Sequence, residues 1–316
     1  MSYNNFVIVG ACQVPDLYFC RFLAQKIKVE GPTKKGPESE STVDVSFKAL
    51  LEVDFYPELD RLKVLYGGDI YAHNLPYIVL VENGQGAARY IGGIKELIDF
   101  ARESFGIDDA DLHNDIADRR SAREDLQALT IASKHKYVFL EFAEQTKKGS
   151  IPYGKVVIEL FHEICHNACD NFYKLCTGEA GNIEHSELPL QYIGSKVHRI
   201  VPKGWIQCGD IVDGSGKHSI AAIGSEGKVQ DESYSIDFSN PVGGIVGFST
   251  TIPHTLGSQF HITTGPCEWM NDKFVGVGRV IIGYDVLRQI EANKTENQRP
   301  VNSIFVQDCG VETFVM

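Results

Sequence analysis

Along the first hundred residues the spacing of apolar positions changes period several times, and each change marks an element. Residues 4–12, NNFVIVGAC, are an unbroken apolar run closing on Gly10 to Cys12, the pattern of a buried strand. From Pro15 the period lengthens, with Leu17, Cys20, Leu23, Ala24 and Ile27 at helical spacing and the proline where a first helical turn tolerates it. Residues 29–42, VEGPTKKGPESEST, are polar, carry two Gly-Pro steps and predict a loop. A strand is expected just after Pro76, a turn at Asn83-Gly84, and a second strand ending at Gly92-Gly93. Ile94, Leu97, Ile98, Ala101 and Phe105 then define one face of an amphipathic helix.

Residues 108–135 are charged, of mixed sign and helix-favouring, and read as a solvated connecting helix. Beyond them the pattern starts again with a strand in YVFLEFAEQ, a turn in KKGSIPYG and a strand in GKVVIELFH, where Val157, Glu159 and Phe161 alternate with Val156, Ile158 and Leu160 and β-branched content is high. Cys169, Phe172, Tyr173 and Cys176 fall on one helical face, with Asn167 as the expected N-cap. Two domains follow: an α/β domain over residues 1–110, a helical linker over 111–136 and a second domain over 137–316.

Composition narrows the function classes. The chain of 316 residues carries a net charge of -12, a poor match to nucleic-acid backbone or anionic membrane surfaces, both of which select clustered Lys and Arg. No window approaches the roughly 18 apolar residues of a membrane span, and the N-terminus lacks a secretory pattern. The cysteines at 12, 20, 165, 169, 176, 208, 267 and 309 are dispersed, mostly within apolar runs. Buried free thiols in a reducing, cytoplasmic compartment explain them better than a disulfide framework.

One motif suggests metal chemistry. His162-Glu163-Ile164-Cys165-His166 is H-E-x-x-H, which binds zinc when both histidines lie one turn apart on a single helix. Here His162 is expected at a strand end and His166 at a helix entrance. The position six residues after His166, where a third ligand stands in the longer motif, is Phe172, and His185 and Glu187 fall in a polar loop. No metal and no cofactor are expected. No glycine-rich segment follows a strand and opens a helix in phosphate-cradling form, so nucleotide binding is not expected either.

The β-α-loop-β-β-α order of the first domain resembles a thioredoxin or glutaredoxin fold, with Pro76 at the place of that family's cis-proline. Its redox pair is absent: the two cysteine positions hold Val14 and Leu17, and Cys12 and Cys20 are eight apart. The resemblance implies a redox-inactive module, with Cys12 as the one thiol to test for reactivity. The second domain resembles the cyclophilins, on GKVVIELFHEICHNACDNFYKLCTGEAG, GSKVHRIVPKGWIQCGDI, TLGSQFHITTGPCEWMNDKFVGVGRVIIGYDVLRQIE and IFVQDCG. The resemblance implies an eight-stranded β-barrel with capping helices. The two-domain order, with HRIV, GWIQ and NQRP, is similar to a subgroup, the peptidyl-prolyl isomerase-like 6 proteins.

Prolyl isomerisation crosses a barrier of about 18–20 kcal/mol set by amide resonance. What the cyclophilin resemblance implies is an arginine donor at Arg199, with Gln207 orienting it and the substrate; Gln259 and Trp269 match pocket-lining positions. Other positions depart from the pattern. Gly204 and Trp205 replace a phenylalanine and a methionine, Ser249 and Thr250 replace an Ala-Asn pair, His261 replaces a phenylalanine, Met270 a leucine and Phe274 a histidine. His261 is expected to pack rather than act as a base, because isomerisation transfers no proton. The Asp231-Glu232 pair is expected to be structural. The implied function is a scaffold or interaction protein with weak or no isomerase activity, binding protein partners through Xaa-Pro segments or within a large cytoskeletal assembly such as a ciliary or flagellar axoneme. The alternative is an active isomerase assisting proline-containing partners.

Overall fold

From Phe6 onward the first strand, β1 (Asn5–Ala11), is apolar because both its faces are covered. The computed structural model describes residues 5–34, 43–83, 87–107, 115–133, 135–250 and 252–314, and those up to Ser133 and those from His135 to Phe314 form separate compact units. In the first unit Phe6 and Ile8 pack into one core with Leu17, Leu23 and Ile27, while Val9 and Ala11 pack into another with Phe55, Leu59 and Leu62.

Helix α1 (Pro15–Lys34) overruns the loop expected from residue 29, and residues 35–42 lie outside the described ones. The glycine read there as a loop signal serves packing instead: a Cβ on Gly31 would stand 2.8 Å from Phe105 Cδ1. Between α1 and Pro76 lie three elements that were not expected, β2 (Asp44–Leu50), α2 (Glu52–Tyr66) and a short 3-10 turn (Gly68–Ala72). Next come β3 (Tyr77–Glu82), β4 (Ala88–Gly92) and α3 (Ile94–Phe105). The expected turn at Asn83-Gly84 is closed by Asn83 N–H on the Ala87 carbonyl at 3.0 Å, and Gly84 itself lies outside the described residues. The sheet order is β2-β1-β3-β4, with β2 parallel to β1 and the other pairs antiparallel. Among the described residues no peptide bond is cis, so Pro76 enters β3 in the trans form, against the expectation drawn for that proline. Helix α4 (Asp115–Ser133) is more than a solvated connector: Ala122 joins the α1 core, and the Tyr18 hydroxyl donates to Asp125 Oδ2 at 2.9 Å. Cys12 is fully buried, its thiol pushed up to about 12 by burial and then by Asp125, which removes it as a reactive thiol.

The second unit opens with the hairpin β5 (Lys136–Thr146) and β6 (Gly149–Leu160), then α5 (His166–Thr177). Four short strands follow: β7 (Arg199–Val201), β8 (Trp205–Cys208), β9 (Ile245–Phe248) and β10 (Phe260–Thr263). The chain ends with β11 (Gly276–Ile282), α6 (Tyr284–Glu291), the small hairpin β12 (Thr295–Glu296) and β13 (Arg299–Pro300), and β14 (Ser303–Glu312). Eight of these strands form one antiparallel sheet, in the order β14-β5-β6-β11-β9-β10-β8-β7. The expected closed barrel is not formed as a continuous ladder, because β7 has only three residues. The irregular segment before it reaches β14 instead, with Gly194 N–H on Val306 O at 2.8 Å and Val197 N–H on Ile304 O at 2.9 Å. Among the described residues no helix is long and apolar enough to cross a membrane.

Helix α5 starts one residue before the expected cap, Asn167, and takes its cap from a distant loop. Glu232 Oε1 accepts from Asn167 N–H at 3.0 Å and Oε2 from Ala168 N–H at 2.8 Å, placing a carboxylate on the positive end of the helix. Its neighbour Asp231 accepts from His254 N–H at 2.8 Å, so the acidic pair is structural. Replacing Glu232 by Ala is expected to destabilise the second unit by about 1 kcal/mol, the usual cost of a lost cap, and Glu232→Gln by less. Urea denaturation followed by α5 signals checks this; an unchanged midpoint in Glu232→Ala would show the cap to be idle.

Candidate functional site

Antiparallel pairing places one row of side chains across the short strands. Arg199 pairs with Gln207, Gln207 with His261, and His261 with Gly247, so β7, β8, β10 and β9 present these four positions on one face. Trp205, two residues before Gln207, shares that face. The row descends from exposed Arg199 to fully buried His261. Gly247 makes the descent possible: a Cβ there would stand 2.9 Å from His261 Nε2.

The opposite wall comes from the short 3-10 turn Glu268–Met270 and from Phe274. Trp205 and Trp269 lie 5.6 Å apart between ring centroids, Trp269 and Phe274 5.7 Å, and Phe274 and His261 5.5 Å, the last two pairs edge to face. Together Arg199, Trp205, Gln207, Ser249, His261, Trp269, Met270 and Phe274 line a cavity of about 280 Å³. That is slightly below the roughly 300–1,000 Å³ of most small-molecule sites.

Two expected residues fall elsewhere. Thr250 follows Ser249 but turns away, its hydroxyl bonded to Thr255 Oγ1 at 3.0 Å, and it lines a separate recess of about 30 Å³ with Asp231 and Tyr234. Gln259 stands behind the row rather than on the cavity. Its Oε1 accepts from Gln207 Nε2 at 3.0 Å, while its own amide donates to the Gly216 and His218 carbonyls. Gln207 is therefore committed to Gln259 and, contrary to expectation, makes no hydrogen bond to Arg199 among the described residues. Arg199 is held by Gln298, its Nε donating to Gln298 Oε1 at 2.7 Å, and by Trp205, over whose ring the guanidinium lies at 5.0 Å.

His261 sets the polarity of the floor. Burial pushes its pKa down to about 3, so the ring is neutral at pH 7. Its Nδ1 meets Ser249 Oγ at 3.2 Å, and its Nε2 has no partner among the described residues. The ring lies against Phe238, 5.7 Å between centroids, as well as Phe274. An imidazole thus stands among the apolar side chains of Phe238, Met270 and Phe274.

The histidines of the H-E-x-x-H motif are close but not in metal-binding order. His162 lies in the turn after β6 and His166 is the first residue of α5, with their Nδ1 atoms 3.2 Å apart. Glu163 is exposed, Phe172 is a core ring, and His185 and Glu187 are exposed. Asp210, Asp213 and His218 form the one carboxylate-histidine group among the described residues compact enough to share an ion. Asp210 is already engaged by the loop it organises, accepting from the N–H groups of Val212 at 3.1 Å, Gly216 at 2.8 Å and Lys217 at 3.1 Å. Burial raises its pKa, but these backbone donors outweigh that and hold the carboxyl well below its ordinary range.

The sequence reading missed Gln298, Gly247 and Phe238. Only Gln298 left a trace, as the second residue of the NQRP motif.

Against families of known proteins, residues 142–311 match the cyclophilin type peptidyl-prolyl cis-trans isomerase/CLD model. Over 304 residues the chain is 31% identical to a human protein named "Probable inactive peptidyl-prolyl cis-trans isomerase-like 6", covering 96% of this chain and 90% of that one. Relatives of the same name from cattle and mouse are 36% and 37% identical over 178 and 179 residues, spanning 55% and 54% of those proteins.

Proposed function

Because the chain belongs to the cyclophilin-type peptidyl-prolyl isomerase family, we propose that its second unit keeps the family groove as a recognition site for Xaa-Pro segments of protein partners and isomerises them weakly or not at all. The observation that carries this reading is the buried neutral imidazole of His261 at the cavity floor. A proline ring seated there packs on a polar imidazole where the family pattern has an apolar phenyl ring, and gains less from its burial. Trp205, at the position vacated by a smaller side chain, packs against Trp269 and draws the Arg199 guanidinium onto its face. The relatives named as probably inactive are consistent with such a site.

A second reading, an active isomerase, is favoured by one feature. Both terminal nitrogens of Arg199 lack hydrogen-bond partners among the described residues, leaving charged donors for a twisting amide. NMR exchange spectroscopy of an Ala-Pro tetrapeptide separates the two. The expected result is cis/trans exchange near the uncatalysed rate, with binding weakened about tenfold by Arg199→Ala, the worth of one charge-assisted hydrogen bond. Exchange well above background in the wild type and lost in Arg199→Ala would replace the binding reading with the catalytic one.

For the first unit we extend the proposal to a redox-inactive, thioredoxin-like module that contributes a second binding surface. Its mixed sheet and buried Cys12 support that reading. A cytoplasmic scaffold within a ciliary or flagellar assembly is the setting we propose, and fluorescent tagging in ciliated cells tests it: exclusion from the cilium would remove it.

A further inference from the structure

The β12–β13 hairpin pairs Thr295 with Pro300 and Glu296 with Arg299, leaving Asn297 and Gln298 as its two-residue loop. Their φ angles are 50° and 68°, both left-handed, as a type I′ turn requires. Asn suits the first position, while the second favours glycine, so Gln298 holds a backbone conformation that costs energy. Such strain persists where the surroundings over-determine it, and it is a pointer to function.

The surroundings here are the first two residues of β7. The Gln298 carbonyl accepts from Ile200 N–H at 2.7 Å, and its side-chain Oε1 accepts from Arg199 Nε at the same distance. The hairpin is itself pinned by Arg299, whose Nη2 donates to the Ser215 carbonyl at 2.7 Å. We propose that Gln298 is a positioning residue that presents Arg199 to the cavity. It occupies Nε, Trp205 occupies one face of the guanidinium, and the terminal nitrogens are left for a carbonyl of the bound segment. The role expected for Gln207 has passed to a residue 99 positions further along the chain. The identity of the ligand rests on the reading of the cavity as an Xaa-Pro site; the clamp itself does not.

The test uses the full chain in four forms: wild type, Gln298→Gly, Gln298→Glu and, to assign the Arg199 Nε–H resonance, Arg199→Lys. In wild type that proton is expected to be protected from solvent exchange. In Gln298→Gly protection should fall about tenfold, the equivalent of one charge-assisted hydrogen bond, while thermal stability holds or rises because glycine suits the turn. Gln298→Glu keeps the acceptor and should retain protection. Ala-Pro tetrapeptide affinity should follow the same order. Unchanged protection in Gln298→Gly overturns the clamp, as does a loss in Gln298→Glu equal to that in Gln298→Gly. A protected Nε–H that responds as expected in a protein that binds no peptide upholds the clamp and overturns the Xaa-Pro reading.

Discussion

Replacing Phe172 by alanine is expected to remove about 3–5 kcal/mol from the second unit, within reach of its whole stability. The ring, on α5, is fully buried and meets three others: Tyr192 at 5.2 Å, Phe260 at 5.3 Å and Phe248 at 6.3 Å between centroids. Tyr192 in turn lies 4.9 Å from Phe260, and its hydroxyl donates to the Ser258 carbonyl at 2.9 Å. Deleting the central ring leaves a cavity walled by rings from three other chain segments, so no single side chain can collapse into it. Phe260 immediately precedes His261, and the damage should reach the candidate site as well as the fold. Phe172→Leu, which keeps most of the volume, is expected to lose much less. Urea titration followed by tryptophan fluorescence reads the second unit, because Trp205 and Trp269 are the chain's two tryptophans. A loss below about 1 kcal/mol in Phe172→Ala would mean that this ring does not organise the core.

Phe172 also marks where the sequence was legible. Its helical spacing with Cys169 and Cys176 was visible, as were β1, β3, β4 and α3, because each buries a face with an unbroken or periodic signature. The stretch holding β2 and α2 was not. β2 does alternate, Val45, Phe47 and Ala49 packing on the core and Asp44, Ser46 and Lys48 facing out, but as an edge strand none of its residues is fully buried, so the signal is short and weak, and α2 contains Pro57, a residue that argues against a helix on propensity alone. Gly31 misled in the opposite sense, since its small size fits Phe105 rather than breaking α1. Among the site residues, eight of the ten positions read from the family likeness line one cavity. Thr250 is drawn away by Thr255 and Gln259 by the Gly216 and His218 carbonyls, partners that no local pattern announces. The grip of Gln298 on Arg199 was out of reach of any local pattern, for it joins a hairpin loop to a strand 99 residues earlier.

Acidification should expose the other consequence of the cavity's remodelling. The folded protein holds His261 neutral, its pKa pushed down to about 3 by burial, whereas an imidazole in the unfolded chain titrates near 6.5. Above pH 6.5 both states are neutral and the difference has no effect. As the pH falls below 6.5 the unfolded chain takes up a proton that the folded one refuses, and stability is lost progressively down to about pH 3. At pH 5 that loss is about 2 kcal/mol from this residue alone. His261→Phe removes the titrating group, so the drop in unfolding free energy between pH 7 and pH 5 should shrink by about that amount. His73, His162 and His198, whose pKa values burial also lowers, are present in both proteins and cancel in the comparison. Equal pH slopes for the two proteins would show that His261 takes its proton in the folded state through the nitrogen left without a partner, and that the floor is wetter than its burial implies. The same substitution restores an apolar floor beneath Arg199 and Gln207. Tetrapeptide binding should tighten about tenfold if the imidazole is what weakens the site, an aromatic contact of ordinary worth at a buried position. If affinity stays fixed while the pH slope flattens, the obstacle to proline lies in the Trp205–Trp269–Phe274 wall, and His261 governs stability alone.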